Sequence, residues 1–215
     1  MGTRGVFGVR IDGVDKAGYT HWGGHPDNLG VSMVDQAGKI MKDLELWKQR
    51  ARDMVLVSSE GEPTAEQIQK WSEFTDLGVS KQMDQDWYCL MRGAQDDLLV
   101  HLELGEIDDA ISFIKDSLSC EFGCLINLDE MTIEMYEGFQ GSPHAKGRYA
   151  EESDAPSSDC GSNKYYACQL VGTFPLDNIP PDWQSQCKFG SEEDEDEVET
   201  GTDVGPTSQG ERPSA

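Results

Sequence analysis

Between Tyr19 and His25 the chain reads Tyr-Thr-His-Trp-Gly-Gly-His, which puts two of its four histidines beside a tryptophan in one short polar stretch. Two imidazoles four residues apart share a face on a helix, where they can hold zinc as in the His-Glu-x-x-His motif. Gly23, Gly24 and Pro26 argue against a helix here and the motif's glutamate is missing, so no metal and no cofactor is assigned. What these residue types can do is bind. Arg4, Tyr19, His21, Trp22 and His25 together offer rings that stack and nitrogens that hydrogen-bond a planar or anionic small molecule. The structural alternative is a loop that packs Trp22 and caps the following helix.

Other groupings carry less chemistry. Cys124 belongs to an apolar run, Cys-Leu-Ile-Asn-Leu, that reads as a strand, and four residues along a strand span roughly 13 Å, too far for Cys120 and Cys124 to share a metal. The six cysteines have no paired Cys-x-x-Cys knuckles and are expected as reduced, mostly buried thiols. Adjacent carboxylates such as Asp96-Asp97 and Asp108-Asp109 can bind magnesium, but neighbours on a helix point about 100° apart and read first as a solvated face. A first strand at the extreme N-terminus resembles the N-terminal nucleophile hydrolases at the level of fold. That chemistry needs a Cys, Ser or Thr whose own α-amine is the base, and loss of Met1 would expose Gly2. Phosphate-binding loops and a Ser-His-Asp order are also missing. No catalytic residue is assigned.

Charge sorts the partners. Net charge is -24, and residues 84–137 alone carry 14 acids against 2 bases. Such a field repels phosphate backbones, so direct nucleic-acid binding is not expected, whereas a basic protein surface is a natural partner. Asp84, Asp86, Asp96, Asp97, Glu103, Glu106, Asp108 and Asp109 are the candidate contact residues of that segment. No apolar run approaches the ~18 residues of a membrane span, and neither an export signal nor a myristoylation motif is visible, so a cytoplasmic protein is expected.

The elements that must position these residues follow from turn chemistry and periodicity. Asp12-Gly13 between two extended runs predicts a hairpin, Gly5–Ile11 with Asp15–Thr20. Val34, Ala37, Met41 and Leu44 predict one long helix from about Asn28 or Gly30 to Arg50. Arg52–Ser58 is a short strand or a helix end. Thr64 opens a second helix with a capping box to Gln67 and a stripe of Ile68, Trp71 and Phe74. A short helix is expected over Asp84–Met91 and another over Ile107–Leu118. A second hairpin spans Phe122–Leu128 and Thr132–Phe139, residues 141–163 form a long loop, Tyr165–Phe174 is a strand, and Pro180-Pro181 leads into a short helix. From Ser191 the chain is acidic, then rich in Gly, Thr, Ser and Pro, and is expected to be disordered.

Several separated blocks in order resemble a family. They are Met-Gly-Thr-Arg-Gly, the Tyr19-Thr-His-Trp loop, DLGVSKQMDQDWYCLMR, FIKDSLSCEFGCLINLDEMTIEMYEGF and GTFPLDNIPPDW. The resemblance is to small bacteriophage and prophage proteins that open Met-Gly-Thr-Arg-Gly, and it covers residues 1 to about 187. It implies a phage protein acting in the host cytoplasm and carries no activity or site residue with it.

The chain is thus expected to form one α+β domain over residues 1–188. An antiparallel sheet from two hairpins and a late strand packs on helices there, followed by a disordered acidic tail, 189–215. Phe7, Val9, Ile11, Val34, Met41, Leu44, Trp71, Ile114, Leu125, Ile126 and Val171 are the expected core. The leading functional expectation is an accessory phage protein that binds a host or phage protein through its acidic surface, for counter-defence or as a DNA mimic. The alternatives are a small-molecule or nucleotide-signal binder or hydrolase using the Arg4–His25 region, and a structural or assembly protein, for which a homo-oligomer is a natural form.

Overall fold

Asp12 and Gly13 both take the left-handed backbone, φ 50° and 78°, that a two-residue hairpin turn requires. The carboxylate of Asp129 clamps this turn by accepting both of its N–H groups at 2.8 Å. The computed structural model describes residues 2–150, 158–160 and 163–190. Along the chain come β1 (Gly5–Ile11), β2 (Val14–Thr20), α1 (Val31–Ile40), α2 (Leu44–Asp53), β3 (Val55–Val57) and α3 (Ala65–Trp71). Next are α4 (Trp87–Leu90), α5 (Leu98–Leu104), β4 (Glu106–Asp108), β5 (Phe122–Asn127) and β6 (Thr132–Glu137). The series ends with β7 (Ser158–Cys160), β8 (Asn163–Tyr165), β9 (Gln169–Pro175) and α6 (Trp183–Gln186). The expected disordered tail lies outside the described residues from 191 onward.

The main sheet runs β2-β1-β5-β6-β9. Both expected hairpins and the late strand are present as antiparallel neighbours, and the hairpins join through one parallel pair, β1 on β5. A parallel join needs a long crossover, and the chain between β2 and β5 supplies it. Because this sheet is covered on both faces, β5 reads as a continuous apolar run rather than an alternating one. Phe7, Val9, Ile11, Cys124 and Ile126 face Leu29, Met33, Ala37 and Ile40 of the first helical region on one side. Full burial of Met33 and Ile40 contributes roughly 1.5–3 kcal/mol each. On the other face Val6, Leu125 and Tyr136 meet Ile114 and Tyr149. Val34, Met41 and Leu44 are only partly buried against the core, and the other expected core residues are buried.

Two helical expectations need correction. The helix drawn from Asn28 to Arg50 is α1 and α2, preceded by a wide turn over Pro26–Gly30 and separated by a 3-10 turn at Met41–Asp43. Asp43, at φ -143° and ψ 62°, leaves helical geometry and ends the first segment. The helix expected over Ile107–Leu118 is absent. Gly105, at φ 79°, terminates α5, then β4 pairs parallel with β3, and only Ile111–Lys115 turns as a 3-10 helix. Ile107 and Ile114 are fully buried all the same, so their helical spacing was satisfied by a strand followed by a turn. The Thr64–Gln67 capping box forms as expected.

Charged groups close the second face of the sheet. Arg148 donates to both oxygens of Asp15 at 2.7 and 3.0 Å and also binds Glu134, while Glu134 accepts from Asn127 and the Tyr136 hydroxyl at 2.8 Å. Burial alone would raise the Asp15 carboxyl; the Arg148 hydrogen bonds and charge, with Tyr149 and Arg10, outweigh it and hold Asp15 below its usual value. A third apolar cluster, Val57, Trp71, Trp87, Leu90, Met91 and Ala94, lies apart from the sheet and underpins the site described next. No helix of the described residues is long and apolar enough to cross a membrane.

Candidate functional site

Strand β2 is an edge of the main sheet, and its last residues point the chain toward α4 and the β4 turn. Tyr19 anchors this corner. Its hydroxyl and His21 Nδ1 are 2.7 Å apart, its ring meets Phe113 edge-on at 5.2 Å, and Tyr88 lies 6.2 Å away. Trp22 stands edge-on to His21 at 4.7 Å and is 58% exposed, an unusual state for a large aromatic unless something covers it. The loop can fold this tightly because of Gly23. A Cβ there would lie 2.0 Å from an Asp96 oxygen.

The facing wall is built by α4. Asp86 caps it, accepting from Tyr88 N–H at 3.2 Å and from the Ser80 hydroxyl at 2.7 Å. Arg92, four residues after Tyr88, lays its guanidinium over that ring at 5.6 Å and donates to Gln95 Oε1, which also accepts the His21 backbone N–H at 3.2 Å. Among the described residues Arg92 has no ion pair. Partial burial, then the charges of Arg92 and Arg4, lower the His21 pKa and keep the ring neutral at neutral pH.

Two hollows share the Tyr19 and Tyr88 walls. The outer, about 530 Å³, is open and lined by His21, Trp22, Ser80 and Arg92. The inner, about 370 Å³, is more enclosed and reaches Arg4, Gln95, His101, Asp108 and Phe113. Both volumes lie within the range of small-molecule sites. On the floor of the inner chamber Asp108 receives one long hydrogen bond, from Tyr19 N–H at 3.3 to 3.4 Å. Gly18 makes room for it, since a Cβ at that position would sit 2.8 Å from Asp108 Oδ1. Burial raises the Asp108 carboxyl to about 7. His101 is fully enclosed. Its Nδ1 lies 2.9 Å from the Glu106 carbonyl. Burial outweighs the Glu106 and Ala94 carbonyls and lowers this imidazole to about 4, so it is neutral.

Of the five ligand candidates, Arg4, Tyr19, His21 and Trp22 line this cleft. His25 does not: it caps the turn at Pro26–Gly30, accepting from Asp27 N–H at 3.2 Å, and packs on Phe122. The eight acidic candidates scatter. Asp86 and Glu106 are buried, the latter paired with Lys70 and the Trp71 indole N–H. Asp84 and Asp96 are half-buried, and Asp108 belongs to the inner chamber. Asp97, Glu103 and Asp109 are exposed, with Glu103 paired to Arg50 at 3.2 Å. Sequence reasoning missed Tyr88, Arg92, Gln95 and His101 as site residues. Their only local signal is the four-residue spacing of Tyr88, on α4, and Arg92, in the 3-10 turn that follows it. Among the described residues no group of three or more His, Cys, Asp or Glu could hold a metal ion. No family model matches the chain, and neither a curated protein nor a solved structure matches it.

Proposed function

We propose that this protein binds a small planar anion of the nucleotide class in the cleft between β2 and α4. One observation carries the reading: rings from Tyr19, Trp22 and Tyr88 converge with the cations Arg4 and Arg92 on one two-part hollow, although the chain brings them from separate segments. Aromatic faces stack any planar ring, and Arg92, without an ion pair among the described residues, recognises an anionic group through its planar fork of donors, while Arg4 is held by Glu121 at 3.7 Å. The test is ligand-observed NMR on the whole chain with AMP, GMP, UMP and benzoate as probes. Binding of at least one, weakened about tenfold or more in Arg92→Ala, supports the reading, because a charge-assisted hydrogen bond contributes roughly 1.5–3 kcal/mol. Binding of none of them overturns it.

A second reading follows from the exposed acids Asp97, Glu103 and Asp109 and the net -12 of residues 84–137. Here the chain is an accessory bacteriophage protein in the host cytoplasm that docks on a basic surface of a host or phage protein. Its signature is affinity that falls steeply with salt. The cleft is favoured because its residues converge, whereas the acidic candidates divide between interior and surface.

A further inference from the structure

The inner chamber sets the Asp108 carboxylate among aromatic walls. Asp108, when ionised, only accepts, and its hydrogen bond from Tyr19 N–H is long. Gln95 Oε1 is already taken by Arg92 and by the His21 N–H. A carboxylate of this kind calls for a ligand edge of donors. The walls are aromatic, Tyr19, Tyr88 and Phe113, so the edge belongs to a flat ring. Arg92, which has no ion pair among the described residues, suits an anionic substituent on the same ligand.

We propose that the inner chamber takes a guanine-type base, its N1–H and 2-amino group paired to the two oxygens of Asp108, with the phosphate toward Arg92. This assignment rests on the cleft reading above and names the ligand's class. Adenine presents an acceptor at N1 and nothing at position 2, so it leaves the carboxylate facing a lone pair. Hypoxanthine keeps N1–H and loses the amino donor. A site built to pair with donors rejects analogues lacking them far more strongly than an apolar pocket rejects a missing methylene.

The experiment is calorimetric titration of the whole chain with GMP, IMP, AMP and XMP at mildly alkaline pH, repeated with Asp108→Asn. The unmodified chain should bind GMP roughly tenfold or more tighter than IMP, and AMP more weakly still. In Asp108→Asn the side-chain oxygen still accepts N1–H, but the new N–H₂ meets the 2-amino group head-on and instead suits the O2 of xanthine. The variant should therefore lose GMP affinity about tenfold or more and bind XMP in preference, a gain that damage to the fold cannot imitate. The order of GMP and IMP on the unmodified chain needs no variant at all. Equal affinity for GMP and IMP, or for GMP and AMP, overturns the assignment, as does an Asp108→Asn chain with unchanged GMP binding. A probe that lacks the donor edge yet depends on Arg92 removes the guanine assignment and leaves the cleft reading in place. No binding of any probe removes both.

Discussion

Replacing Asp108 by asparagine should stabilise the unliganded protein at alkaline pH. The reason is that burial in the chamber lifts the carboxyl to about 7 from an ordinary 3.8. With the folded-state pKa above the unfolded one, the folded chain holds a proton that the unfolded chain has released. Stability from this group is therefore full below about 3.8, falls as pH rises through about 7, and is level beyond. At about 1.4 kcal/mol per unit, that window sets a ceiling of about 4 kcal/mol. Solvent in the chamber screens part of it, leaving about 2 kcal/mol as the expected gain, or roughly 4–8 °C in Tm for a domain of this size. His101 works in the opposite sense. Its imidazole is lowered to about 4 from 6.5, so the unfolded chain takes up the proton first and stability falls as pH drops through that interval. Across it the two slopes offset each other in the unmodified chain, and Asp108→Asn exposes the His101 rise alone. Arg4, Tyr19, Tyr88 and Asp109 also face the chamber, are common to both proteins and drop out of the difference. Urea denaturation of both chains at about pH 4.5 and about pH 8.5 measures it. Near-equal stability in acid and a gain in base are expected. A variant no more stable in base, or a difference that ignores pH, would refute the argument that the chamber holds a desolvated carboxyl.

Two further outcomes test the frame around the site. Arg148→Met should destabilise by about 3 kcal/mol in urea at neutral pH, the low end for breaking a buried ion pair. The orphaned carboxylates are only 12% and 5% exposed, yet Asp15 keeps Arg10 and Glu134 keeps Asn127 and Tyr136; a loss below about 1 kcal/mol would show the network to be well solvated. Trp22→Ala should leave stability within about 0.5 kcal/mol, since the ring is mostly exposed, while weakening whichever NMR probe binds by roughly tenfold, the value of one stacking face. Unchanged probe affinity would place the ligand in the inner chamber without the tryptophan.

Local chemistry determined much of this protein before any packing was considered. Asp12-Gly13 specified the first hairpin because a two-residue turn needs two left-handed residues, and Thr64 with Gln67 specified a helix start through reciprocal hydrogen bonds. Arg4, Tyr19, His21 and Trp22 were legible as binding candidates from their residue types, and the fold sets all four on one cleft. Tertiary structure alone decided the rest. The parallel join of β1 to β5 and the β3–β4 pair depend on partners far along the chain, and no periodicity encodes a partner. The same pairing turned Ile107 from an expected helix into a strand and so carried Asp108 under Tyr19, from a solvated face to a chamber floor. His25 and Asp86 show the converse, residues of binding type used as helix caps instead. A side chain's chemistry is written in its residue type, but whether water, a neighbour or a ligand completes it depends on what the fold sets across from it.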